Sequence, residues 1–139
     1  MGRTLAVILI WTGVLSSGAA WSEERSLASI MQELGDQTAG LTRALMAEDW
    51  PAAAETATAI SDHPRPGASE RARVMGVLGA DAPQFQAADH AVHETAAELA
   101  KAARSENREE AFTQYHRLID ACAGCHMQFR DRLRAPADP

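Results

Sequence analysis

Residues 112–133 read FTQYHRLIDACAGCHMQFRDRL. Along this stretch Phe112, Tyr115, Ile119, Cys122, His126, Phe129 and Leu133 recur at alternating intervals of three and four residues. At about 100° per residue, that spacing lays one side of a long helix against a core. A half-buried strand would need a period of two, and no stretch of the chain keeps one convincingly. The segment is therefore read as the last helix of an all-α protein, spanning about 108–133.

Two members of the stripe carry chemistry. Cys122-Ala123-Gly124-Cys125-His126 contains both cysteines of the chain, with a histidine directly after the second. C-x-x-C-H is the attachment pattern of c-type haem. Each thiol can add across one vinyl group of the porphyrin, and the adjacent imidazole can bind the iron from one face. Cys122, Cys125 and His126 span about 100° of arc on one side of the helix, so a haem held there faces the core. The rival readings of C-x-x-C are a small disulfide or a thiol-redox pair. A redox pair would sit at a strand-to-helix junction.

Three more helices precede this one. The first is expected from the cap Ser22, with Glu23 and Glu24 in its first turn, to about Ala47. Its stripe is Leu27, Met31, Leu34, Thr38, Leu41 and Leu45, with one polar lapse at Thr38. Glu48-Asp49-Trp50-Pro51 is the turn, with Pro51 at a first-turn position of the next helix. That second helix runs to about Asp62 and presents Trp50, Ala53, Ala57 and Ile60 on one face. His63-Pro64-Arg65-Pro66-Gly67 ends it. A short helix over 69–79 is expected inside the long connection that follows. The third long helix covers about 81–105, with Phe85, Val92 and Leu99 a heptad apart and Ala88, Ala96 and Ala103 between them. Glu106-Asn107 makes the last turn, with Asn107 as cap. Lengths, breaks and seams imply an antiparallel, up-down-up-down four-helix bundle.

The first twenty residues read as a secretory signal peptide. Arg3 precedes an apolar run over 5–15 that is short for a membrane span, and Gly18-Ala19-Ala20 supplies the small residues of a cleavage site. An uncleaved anchor is the alternative. Residues 21–139 then form one domain, exported to the periplasm, with no further stretch suited to stable membrane insertion. The net charge of −6 becomes one unit more negative without Arg3. An acidic surface argues against nucleic acid and anionic membranes as partners and suits a basic redox partner.

The iron's second ligand can be sought by level. Counted from Ser22, Met31 lies roughly 13 Å into the first helix, and His126 lies roughly 10 Å before the end of the last. In an antiparallel bundle those ends are neighbours, which makes Met31 the candidate opposite His126. A methionine on a helix seam otherwise fills a core. Met46 is too far along the helix, and Met127 cannot reach the opposite face. His63 and Met75, in the long connection at the haem end, are rivals. Their ordinary readings are an exposed residue at a helix terminus and packing of the short helix. His90 and His93, with Glu94, could hold a surface metal ion, although no third ligand at matching spacing supports it. No paired carboxylates, nucleophile–base arrangement or phosphate loop marks an enzyme.

Taken together, these residues resemble the class II c-type cytochromes, the cytochrome c-prime family. Cys122-Ala123-Gly124-Cys125-His126 followed by Phe129-Arg130 is similar to that family's C-terminal pattern. Ile30-Met31-Gln32-Glu33-Leu34-Gly35 resembles its low-spin branch, where a methionine of the first helix binds the iron. The resemblance implies one covalent haem c on Cys122 and Cys125, with His126 and Met31 as axial ligands, and it suggests Arg130 near the haem edge. It implies an electron carrier working with a redox protein partner, and homodimers occur among relatives. The alternative is a five-coordinate haem protein that binds nitric oxide or carbon monoxide.

Overall fold

The computed structural model describes residues 25–134, so the expected signal peptide over 1–20 and the tail over 135–139 lie outside the described residues. Five helices follow one another: α1 (Leu27–Met46), α2 (Trp50–Ser61), α3 (Ala68–Leu78), α4 (Ala82–Arg104) and α5 (Arg108–Arg134). A single 3₁₀ turn, Gly79–Asp81, joins α3 to α4. There is no strand among the described residues, and no helix there is long and apolar enough to cross a membrane. The four helices α1, α2, α4 and α5 form the expected bundle, and α3 closes one end.

Each boundary has a local cause. Asp49 caps α2 by accepting a hydrogen bond from Ala52 N at 3.1 Å, and Pro51 occupies its first turn. Asn107 caps α5 by accepting from Glu110 N at 3.2 Å. The start of α1 departs from expectation, since the helix begins at Leu27 rather than Ser22. Ser26 is the cap, accepting from Ser29 N at 3.1 Å. Arg25 cannot extend the helix because its carbonyl accepts from Gly67 N at 3.0 Å in the long connection. Glu70 of α3 then accepts from Leu27 N at 3.1 Å and supplies a second cap.

The short turns after α1 and α4 make consecutive long helices antiparallel neighbours. α2 packs on α1 and α4, and α4 packs on α5, whereas α1 and α5 scarcely approach one another. Near the closed end of that gap, the Thr42 and Tyr115 hydroxyls share a hydrogen bond at 2.8 Å. There too, Arg108 pairs with Glu48 at 3.0 Å. The main core gathers Leu41, Leu45, Ala53, Ala57, Ile60, Ala96, Leu99 and Leu118. The alanines let α2 and α4 pack closely. A second cluster of Val74, Leu78 and Phe129 seals the end covered by α3, with Phe85 meeting Phe129 edge-on at 5.5 Å.

The stripes divide between these two environments. On α1, Leu41 and Leu45 are fully buried, while Leu27, Met31, Leu34 and Thr38 are only partly covered. On α5 the buried face is rotated from the expected one: Ala111, Gln114 and Leu118 are buried, whereas of the quoted stripe only Phe129 is buried, His126 is exposed and the rest are half-covered. The reason is that α5 turns one side to α4 and the adjacent side to the gap beside α1.

Candidate functional site

That gap is a cavity of about 710 Å³, partly open to solvent. Its size falls in the range of small-molecule sites. α1 contributes Leu27, Met31, Leu34, Gly35 and Thr38, and α5 contributes Ile119, Cys122, Cys125, His126, Phe129 and Leu133. Phe85 and Val92 of α4 form the back wall. Glu70, Arg73, Arg130 and Arg134 contribute the charged side chains at the α3 end, and His63 and Asp89 enter from the α2–α4 side.

All four site residues expected from the sequence, Cys122, Cys125, His126 and Met31, line this one cavity. The two thiols are half-buried and not joined to one another. Burial pushes the Cys122 thiol up from its usual pKa. Burial does the same to Cys125, helped by the nearby Asp89 carboxylate and Cys122. Both are therefore held as neutral thiols near pH 7. His126 is exposed along the cavity edge, and Met31 on α1 is half-buried. Thr38, the polar lapse of the α1 stripe, returns its hydroxyl to Leu34 O at 2.7 Å and so presents an apolar methyl-bearing surface without an unsatisfied donor.

The rivals fare differently. Met75 packs into the second cluster, where Gln86 Nε2 donates to its sulfur at 3.7 Å, and it does not line the cavity. His63 is not the exposed terminal residue expected, for its side chain is only 8 % exposed. Its Nδ1 engages Ile60 O at 2.8 Å, and its Nε2 lies 3.5 Å from Asp89. Contact with Asp89 raises the His63 pKa above its usual value against the lowering effect of burial, and the same contact holds the Asp89 carboxyl below its usual range. Met46 and Met127 are exposed, away from the cavity. His90 and His93 do not act together: exposed His90 meets Glu94 at 3.3 Å, while His93 turns inward to Ser61 O. His116 is exposed on α5.

Sequence reasoning missed Asp89, Glu70 and Arg73. Asp89 stands four residues before His93 on α4, a same-face spacing visible in the sequence but not singled out. Arg73 donates to Glu70 at 2.8 Å and to Leu133 O at 3.4 Å, tying α3 to the end of α5. Arg130 does line the cavity, with Nε on the adjacent Asp131 at 3.0 Å.

The lining fits a covalently held haem. Two thiols and an imidazole lie on one wall, a thioether lies on the opposite helix, and apolar side chains fill most of the surface between. Arg73, Arg130 and Arg134 supply cations for carboxylates at the ring edge. The comparisons agree. The family model for cytochrome c' matches residues 68–130, which include the whole C-x-x-C-H motif and most of α3 to α5. No curated protein and no solved structure matches the chain. Laid over a four-helix bundle whose last helix carries the motif at a cavity, that match over residues 68–130 supports the cytochrome c' family and a haem c-type cytochrome.

Proposed function

We propose that the protein is an exported, periplasmic mono-haem electron carrier, not an enzyme. In this reading Cys122 and Cys125 are the thioether sites, and His126 and Met31 are the axial ligands. The observation that supports it is that Met31 on α1 and His126 on α5 both line one cavity. His63, the rival within reach, has both ring nitrogens engaged, and Met75 faces elsewhere.

A bound haem c supplies a one-electron iron centre, and a His/Met ligand pair favours its ferrous state and raises its potential. The chain's own residues do the rest. Leu34, Val92 and Ile119, which line the cavity, would exclude water from a bound haem. Arg73, Arg130 and Arg134, which line the cavity, could offset the negative charge of bound haem carboxylates. The thioether of Met31 would be the second ligand of the iron and would compete with a gas ligand. The acidic surface favours a basic redox protein as the exchange partner.

Absorption spectra of the haem-loaded protein test this. We expect a low-spin spectrum with a sulfur-to-iron band that carbon monoxide does not change. Met31→Leu is expected to convert the iron to high spin with haem still attached. A wild-type spectrum that is high-spin and shifts with carbon monoxide overturns the carrier reading in favour of gas binding. Conversion to high spin by replacing His63 instead of Met31 overturns the ligand assignment.

A further inference from the structure

Beside the cavity, one carboxylate faces two imidazoles. His63 follows the end of α2, and its Nε2 lies 3.5 Å from Asp89 Oδ1. Four residues along α4 from Asp89, His93 brings its Nε2 to 3.5 Å from Asp89 Oδ2. The rings are stacked, with centroids 4.2 Å apart and planes 9° from parallel. Each Nδ1 is committed to a main-chain carbonyl, Ile60 O for His63 and Ser61 O for His93. A carbonyl only accepts, so each Nδ1 carries a proton and Nε2 is the nitrogen left to bind something else.

That arrangement is the outer support typical of metal-ligating histidines, in which one ring nitrogen donates to a carbonyl and the other is aimed at the ion. We propose that His63, Asp89 and His93 form a site for a divalent first-row transition-metal ion such as Zn²⁺, with water completing the coordination. A tetrahedral ion with bonds of about 2.1 Å sets its ligand atoms roughly 3.4 Å apart, which the two nitrogen–oxygen separations already meet. The three ligand atoms lie within 4.8 Å of one another, and closure requires the stacked rings to tilt so that both Nε2 atoms converge on the ion.

The surroundings allow entry and selectivity. Asp89 and His93 are 44 % and 30 % exposed, which gives the ion a path, while His63 is almost covered. Asp89 and His93 share one face of α4, so two of the three donors are held by a rigid helix. The two nitrogens favour Zn²⁺, Cu²⁺ or Ni²⁺ over Mg²⁺ or Ca²⁺, which prefer oxygen. The metal competes with a proton for the Nε2 lone pairs, so binding strengthens as pH rises. None of Cys122, Cys125, His126 or Met31 is a ligand of this ion, while His63 and Asp89 also border the haem cavity.

The test is calorimetric titration of the chelator-stripped, haem-loaded protein with Zn²⁺ at pH 8. One equivalent is expected to bind, and millimolar Mg²⁺ should not displace it. Asp89→Asn and His93→Ala should each weaken binding by at least about tenfold, and His93→Ala, which lies outside the cavity lining, should leave the haem spectrum unchanged before titration. His90→Ala, altering the exposed pair on α4, should bind as the wild type does. Absence of one-equivalent binding, wild-type affinity in Asp89→Asn and His93→Ala, or loss of binding in His90→Ala overturns the proposal.

Discussion

Glu70 joins three elements through one carboxylate. It accepts from Leu27 N at the head of α1 and from Arg73, whose guanidinium also reaches Leu133 O at the end of α5. Hydrogen bonding from Arg73 holds its carboxyl below the usual 4.5, with burial opposing. A lowered folded pKa stabilises the protein above the unfolded value, and that stability is lost as pH falls through the folded one. Glu70→Gln is therefore expected to cost roughly 1 kcal/mol near neutral pH. The deficit should shrink as pH falls below about 4.5. Thermal unfolding of both forms from pH 7 to pH 3 checks this, and a deficit independent of pH would remove the carboxylate from the account. Met31→Leu belongs to the same scale, since its expected spin change depends on one sulfur atom.

The helix ends store a small reserve of strain. α1 and α4 both finish with a glutamate in the left-handed region, Glu48 at φ 53° and Glu106 at φ 52°. Behind each, the closing pattern is the same: Asp49 N donates to Ala44 O and Asn107 N to Ala102 O. A side chain there is disfavoured relative to glycine. Glu48 is retained by its ion pair with Arg108. Glu106→Gly should raise stability by roughly 0.5–1 kcal/mol, read as a higher denaturant midpoint at unchanged slope. A lower midpoint would mean that the Glu106 side chain contributes more than its backbone conformation costs. These two turns were readable as turns from Glu48-Asp49-Trp50-Pro51 and Glu106-Asn107. Their left-handed glutamates were not, because nothing in residue type marks them.

At the scale of the molecule, the bundle is unevenly supported. Around Leu41, Leu45, Ile60 and Leu99 the helices meet directly, whereas the first half of α1 faces the cavity. Amides with fewer buried contacts behind them open at lower free energy. Without haem, amides over 30–38 are expected to exchange hydrogen faster than those over 92–103, and haem attachment should slow the former most. Equal protection of both segments in the haem-free protein would show that α1 is held by the core alone.

The sequence by itself determined the helices, their order and the cofactor-bearing wall. Periodicity reports which side of a helix is apolar, and C-x-x-C-H is a contiguous chemical pattern that needs no fold to be read. It also brought Met31 forward as the candidate opposite His126, though from a helix start at Ser22 that Ser26 and Gly67 displace to Leu27. Only the tertiary structure decided what each apolar side faces. Leu27, Met31 and Leu34 share a stripe with Leu41 and Leu45, yet the former border a cavity and the latter a core, because α1 and α5 diverge toward the α3 end. Likewise His93 found His63 and Asp89 rather than His90. Spacing along one helix cannot name a partner 30 residues away, and only the packing of α2 against α4 brings the two imidazoles to a shared carboxylate.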